Sequence, residues 1–243
     1  MSDRLVLLGT GTCQLQEERM ASSVLLELDS LRVVFDFGRG VAGRLRSLGL
    51  GQDDIRHVVL SHFHADHLSD LIPFLHAGSW SQIDPRTADL DLYGPVGLEA
   101  LFQGLLGLFE SLVRSERFEL RLHEIRDDSL VIDGFELVSR ELPPAGNRGL
   151  KLTRGDTTCA ITGDSFFHEQ EIEFLRGVDL AIVDAGHLTD DELVELAVQT
   201  RVRRLVCSHL YREIDAERIT ALATKRGFDG EVIIGEDLMS FAL

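Results

Sequence analysis

Apolar residues along this chain come in short runs broken by glycine, aspartate and serine, a rhythm that predicts many strands and few long helices. RLVLLGT from Arg4, SSVLLELD from Ser22 and LRVVFDFG from Leu31 read as three strands. The tight polar turn at Asp29 predicts that the second and third form a hairpin. GVAGRLRSLGL then sets Val41, Leu45 and Leu48 at helical spacing and stops at Gly49. RHVVLSH reads as a buried strand leading into LSHFHADHLSD, Leu60 to Asp70. A helix over LSDLIPFLHAG follows, with Pro73 early enough to be tolerated.

The pattern continues with a strand at LDLYGP and a helix at VGLEALFQGLLGLFESLV, the segment from Leu98 to Arg117 being amphipathic with mixed charges such as Glu110 and Glu116. RFELRLHEI, DSLVIDGFELVSREL, RGLKLTRG and TTCAITGD form a second block of strands. The end alternates: a helix from Phe166, strand VDLAIVDAG, helix DDELVELAVQT with Thr189 as its N-cap, strand RRLVCSH, helix DAERITALATKRG and strand EVIIGED. No linker rich in Pro or Ser interrupts this order. It predicts an α/β chain organised as one domain over residues 1–243, with two facing sheets and helices outside.

Composition narrows the function classes. An apolar fraction of 44% is enough for a sizeable core. No apolar run approaches the roughly 20 residues of a membrane span, so no membrane association is expected. The opening MSDRLVLLGTGT is too short in its apolar run for a secretory signal and reads as a first strand. Cys13, Cys159 and Cys207 form no C-x-x-C pair, and the default compartment is a reducing cytoplasm with the three as small buried thiols. The net charge of −17 argues against a long nucleic acid and for a small substrate. The nearest basic patch, RVRR at Arg201 to Arg204, reads as a solvated turn from helix to strand.

The candidate chemistry sits in LSHFHADHLSD. His62 and His64, two apart at a strand end, can project to the same side, and Asp66 and His67 follow in the turn. With nine histidines in 243 residues, such crowding is rare by chance. Imidazoles and a carboxylate together suit a borderline metal such as zinc. Further ligands must come from elsewhere, and Asp164 in AITGDS and His209 in LVCSHL each stand just past an apolar strand. Singly each is a weak signal. Together they would lie on one edge of a sandwich, where loops form sites.

H-x-H-x-D-H after a strand, a later G-D-S and a late S-H resemble the metallo-β-lactamase superfamily. LVLLGTGT, SSVLLEL, VVFDFGRG and HLTDDELVELA with VRRLVCSH resemble its ribonuclease Z and small phosphodiesterase branch. The resemblance implies a four-layer αββα sandwich of two mixed β-sheets with a two-metal site at one edge. It implies that His62 and His64 hold the first metal, that Asp66, His67 and His209 hold the second, and that Asp164 bridges them. It implies catalytic roles for Asp66, orienting the nucleophile, and His187 in GHLTDDE, protonating the leaving group. The cofactors would be two divalent ions, zinc first, with manganese or iron as alternatives. Relatives suggest a homodimer.

Two departures from the family pattern matter. A further first-metal histidine is usual before a G-Y-R-like strand, but ELPPAGN places Pro143 or Pro144 there. Three ligands would remain, so the first-metal site is expected to be weaker. His168, four after Asp164, is a candidate substitute. The long basic arm with which ribonuclease Z proteins grip tRNA is also missing, which favours a small phosphoester. The expected activity is metal-dependent hydrolysis of a phosphodiester. A lactonase, a thioesterase, a mononuclear-iron sulfur-oxidising enzyme or a metal-dependent binding protein remain alternatives on the same fold.

Overall fold

In the computed structural model, residues 3–109, 111–114, 116–126 and 128–243 are described. The first half builds one sheet from β1 (Arg4–Gly9), β2 (Ser23–Leu28), β3 (Leu31–Phe35), β4 (His57–Val59), β5 (Leu90–Gly94) and β6 (Leu120–Glu124). The second half builds another from β7 (Ser129–Ile132), β8 (Phe135–Leu142), β9 (Asn147–Arg154), β10 (Thr157–Ile161), β11 (Leu180–Asp184), β12 (Arg204–Ser208) and β13 (Glu231–Ile234). The last strand, β14 (Ser240–Ala242), returns to the first sheet beside β1. Both sheets are mixed in the same way: β14-β1-β2-β3 and β7-β8-β9-β10 run antiparallel, while β3-β4-β5-β6 and β10-β11-β12-β13 run parallel.

Three apolar clusters separate four layers. One lies between the sheets and draws Leu26, Val33, Ile161, Ile182 and Val206 from both. A second packs α1 (Val41–Ser47), α2 (Leu71–Trp80) and α3 (Leu98–Leu108) on the first sheet. A third packs α4 (Glu169–Leu175), α5 (Asp190–Thr200) and α6 (Ala216–Thr224) on the second. Strands covered on both faces read as near-continuous apolar runs, and β11 is buried from end to end, with only its last residue, Asp184, polar. Toward the far edge only one face is covered, and β7 alternates exposed and buried residues. Each fully buried Leu, Ile or Val contributes about 1.5–3 kcal/mol. This is the αββα sandwich that the sequence motifs implied.

The elements differ from expectation in four places. DSLVIDGFELVSREL is two strands, β7 and β8, because Asp133 and Gly134 turn with positive φ. The helix expected to reach Arg117 stops at Leu108, and Glu110 lies outside the described residues. The helix expected from Phe166 starts at Glu169, capped by His168. Strand β14, too short to carry a periodicity, was not anticipated. Cys159 and Cys207 are buried, whereas Cys13 is exposed. Arg201 to Arg204 form the expected turn, with Arg201 in the left-handed region and Arg204 over the Phe241 ring.

Candidate metal centre

The parallel strands of both sheets point their carboxyl ends at one rim, the position where open α/β sheets place ligands. Asp36 follows β3, Ser61 and His62 follow β4, Asp164 follows β10, Asp184 ends β11 and His209 follows β12. His64, Asp66 and His67 lie on a short 3-10 turn after β4. The loop after β3 presses against that turn: Phe37 N donates to His67 O at 2.7 Å, and a Cβ on Gly38 would sit 1.6 Å from Asp66 O. Only glycine fits there. Asp70 Oδ2 accepts from Gly40 N and Ala42 N at 2.9 and 3.1 Å, which fastens the turn to the start of α1. On the other sheet Gly163 has φ +65, and a Cβ would meet Asn147 Oδ1 at 2.4 Å.

The expected ligand atoms converge in two sets. His62, His64 and Asp164 can offer donor atoms within 4.8 Å of one another, and so can Asp66, His67 and His209. Asp164 faces both sets: Oδ2 lies 3.7 Å from His62 Nε2, and Oδ1 lies 3.0 and 3.4 Å from His67 and His209 Nε2. His209 Nε2 is 3.5 Å from Asp66 Oδ2. His62, His67, His209 and Asp164 are buried, and His64 faces solvent.

The donor set fits divalent ions. The Nε2 atoms of His62, His67 and His209 and Asp164 Oδ1 are buried facing one another, with no hydrogen-bond partner from outside the cluster. Such atoms are costly unless something binds them. Tautomers agree. Ser61 Oγ donates to Asp36 Oδ2 at 2.8 Å, so toward His62 Nδ1, 2.9 Å away, it can only accept. His62 therefore carries its hydrogen on Nδ1. His67 Nδ1 likewise donates to Asp36 Oδ2 at 2.8 Å. With Nδ1 committed, both rings turn Nε2 inward, the arrangement that orients metal-binding histidines.

Charge points the same way. Burial opposes protonation of His67 and His209, yet neighbouring carboxylates outweigh it: Asp36 and Asp164 hold His67 well above its ordinary value, and Asp184 and Asp66 push His209 up to about 9. Burial and the charge on His67 push His62 down to about 4. Burial would raise Asp164, but His67, His209 and His62 hold it below the usual carboxylate range. Without ions, protons on two imidazoles compensate the crowded carboxylates. A divalent cation would replace them.

His187 stands beside the second set. Its Nδ1 donates to Asp184 Oδ2 at 2.6 Å, and its ring stacks on His209 at 5.3 Å between centroids. The bond to Asp184 raises its pKa despite partial burial. Thr189 caps α5 in a reciprocal box with Glu192, as expected, and this sets where the His187 turn ends. His168 does not join the cluster: its Nδ1 accepts from Gln170 N at 3.2 Å and caps α4. Among the described residues, no candidate ligand comes from the turn between β8 and β9, where Pro143 O accepts from Phe166 N at 3.2 Å.

Sequence reasoning missed Asp36, Ser61 and Asp184. A turn aspartate in FDFG, a serine before the motif and the last residue of a strand give no local signal. Asp184 also belongs to a third group with Asp164, His187 and His209.

Taken with the sandwich fold, this double set of donors defines a metal-dependent hydrolase. The chain belongs to the family of the beta-lactamase superfamily domain, whose model matches residues 31–211. A ribonuclease Z of Archaeoglobus fulgidus is 22% identical over 98% of this chain and 96% of its own length. One from Mycolicibacterium gilvum is 25% identical over 96% and 94%. Among solved structures, the metallo-beta-lactamase fold protein YhfI from Bacillus subtilis superposes with a TM-score of 0.80 at 21% identity, covering 99% of each chain. Human tRNase Z, short form, superposes with a TM-score of 0.74 at 21% identity over 98% of each. A diphosphatase of the PhnP family gives 0.72 at 18% identity, over 99% of this chain and 98% of its own.

Proposed function

We propose that this protein hydrolyses a small phosphodiester, with His62, His64 and Asp164 holding one divalent ion and Asp66, His67, His209 and Asp164 the other. The observation that carries the reading is Asp164, whose two oxygens face the two histidine sets. Two such ions would supply hydroxide near neutral pH and neutralise charge developing on the phosphoryl group. Asp66, half-buried at the rim, would orient the attacking oxygen. His187, with Nδ1 tied to Asp184, would keep a hydrogen on Nε2 and give it to the departing oxygen. Relatives named ribonuclease Z and a structural neighbour named as a diphosphatase support phosphoester chemistry.

A small substrate is favoured over tRNA by the net charge of −17. Local structure supports this. Strands β9 and β10 are joined by a tight turn at Gly155 and Asp156. Residues 10–22 make a long interval between strands, and it is strapped down. Arg39 donates to Gln14 O and Arg19 O, and Arg44 donates to Glu18 O. The test is turnover of bis-p-nitrophenyl phosphate by protein loaded with zinc or manganese. Activity is expected, and it should vanish in His64→Ala. Survival of both metal content and turnover in His64→Ala and Asp66→Ala would sink the assignment.

A further inference from the structure

A cleft of ≈ 750 Å³ opens beside the metal centre, between residues 10–22 and the segment after β12. Tyr211 is the wall the two share. Its ring meets those of His209 and His187 edge-on at 5.3 and 5.5 Å between centroids. Its hydroxyl reaches across to Cys13 Sγ at 3.6 Å. Ile214 and Ile234 extend the wall, and Glu17, Glu18 and Glu213 line the rest.

The two arginines of the cleft are held differently, one by neutral oxygens and one by a carboxylate. Arg19 donates to Thr10 Oγ1 and Gly235 O at 2.5 and 2.6 Å. Arg212 pairs with Asp190 at 2.7 Å and donates to Leu188 O at 3.0 Å. Among the described residues, the side chains of Glu17, Glu18 and Glu213 have no hydrogen bond or ion pair. Arg212 is matched by Asp190, so three glutamates face the single uncompensated charge of Arg19, and the cleft carries an excess of negative charge beside a centre built to attract phosphate.

We propose that this cleft receives the leaving group of the phosphodiester, and that the group is an uncharged, hydroxyl-bearing ring system of nucleoside size. The proposal rests on the hydrolytic reading above. If His187 protonates the departing oxygen, the leaving group starts at that ring, and Tyr211 is a wall that continues from it. The volume falls within the ~300–1,000 Å³ of small-molecule pockets and exceeds what a short alcohol needs. A flat base suits the Tyr211 and isoleucine wall, and carboxylates accept hydrogen bonds from sugar hydroxyls, as in dinucleotide sites. The same carboxylates repel a second phosphate, so the cleft discriminates against a leaving group that is itself a nucleotide. The step balances with water alone. Hydroxide adds to phosphorus, the bond to the nucleoside oxygen breaks, and that oxygen takes the His187 proton. The products are a nucleoside and a phosphate monoester.

The experiment compares the dinucleoside monophosphate UpU with the same dinucleotide carrying a terminal phosphate on the nucleoside that leaves, identified from the products. The phosphate is expected to lower kcat/KM at least ten-fold, and the double variant Glu18→Lys, Glu213→Lys should close most of that gap. A parallel measurement uses uridine itself on metal-free protein by saturation-transfer NMR, where binding should be seen and should weaken in Tyr211→Leu. Equal turnover of the two dinucleotides, or a charge reversal without effect, overturns the proposal. So does turnover of bis-p-nitrophenyl phosphate with neither dinucleotide cleaved, and that result leaves phosphodiester hydrolysis standing. Failure on every phosphodiester removes the hydrolytic reading and the leaving-group role with it.

Discussion

Asp36 accepts the Nδ1 hydrogen of His67 at 2.8 Å in a place where neither side chain reaches solvent. The same carboxylate takes Ser61 N and Ser61 Oγ at 2.7 and 2.8 Å. One buried anion thus fixes the tautomers of two histidines on the same rim. Asp36 itself has φ +62, a conformation costly for a non-glycine residue. The surrounding contacts hold it there.

Replacing Asp36 by Asn keeps the shape but exchanges one acceptor for a donor. One of the three contacts must then be lost, and His67 is released to adopt the wrong tautomer. Metal affinity should fall about 10–100-fold, read by competition with a calibrated chelator. Unchanged affinity would mean that other contacts orient the ring.

With no ligand from the turn at Pro143, the two proposed ion sites are expected to be unequal. In the second set His67 and His209 are buried and held from behind by Asp36 and Asp184, whereas His64 in the first set is exposed. Wild-type protein dialysed against a mild chelator should keep about one zinc per chain. Pro143→His should raise the retained count toward two, measured by elemental analysis. Two equally retained ions in the wild type would contradict this asymmetry.

His187→Ala should lower kcat by about 10²–10⁴ with metal content intact, because the ring is tied to Asp184 and is not needed to complete either donor set. Asp184→Asn should also lower kcat, since an amide can accept at Nδ1 only through its oxygen and no longer favours the protonated ring. Asp184 also lies 3.3 Å from His209 Nδ1, so this variant should lose some metal as well. Stopped assays paired with metal analysis separate the two effects.

Glu171 on α4 is fully buried, and neither carboxylate oxygen has a hydrogen-bond partner. Burial, and then the nearby Asp184 charge, push its pKa up to about 8 from 4.5. The folded protein therefore holds a proton that the unfolded chain releases. Stability falls as pH rises through that window and levels off above it, a loss of roughly 4–5 kcal/mol at about 1.36 kcal/mol per pH unit. Glu171→Gln should melt like the wild type below pH 4.5 and at higher temperature than the wild type above it, by a margin that grows up to about pH 8 and then stays constant. A wild-type minus variant difference that stays flat with pH would place the carboxylate in a better-solvated state.

The signals that worked were local. H-x-H-x-D-H crowds four donors into one turn, and Asp164 and His209 each end an apolar run, so their place at strand ends could be read directly. The D-G pair at Asp133 and Gly134 was also available as a hairpin signal and would have split β7 from β8. Glu171 was not legible. EQEIEFL reads as a half-solvated helix, and only the packing of α4 against its sheet and α5 encloses that carboxylate.

The sequence by itself determined most of the element types, the paired halves and the candidate donor side chains of the rim, because periodicity and turn chemistry act over a few neighbouring residues. Only the tertiary structure decided which strand ends meet. That register set Asp164 between histidines from the turn after β4 and from the end of β12, put Asp36 and Asp184 behind the rings, and opened the cleft beside Tyr211. Those contacts join residues from separate strands and sheets, and no local pattern encodes which of many buried strands will lie side by side.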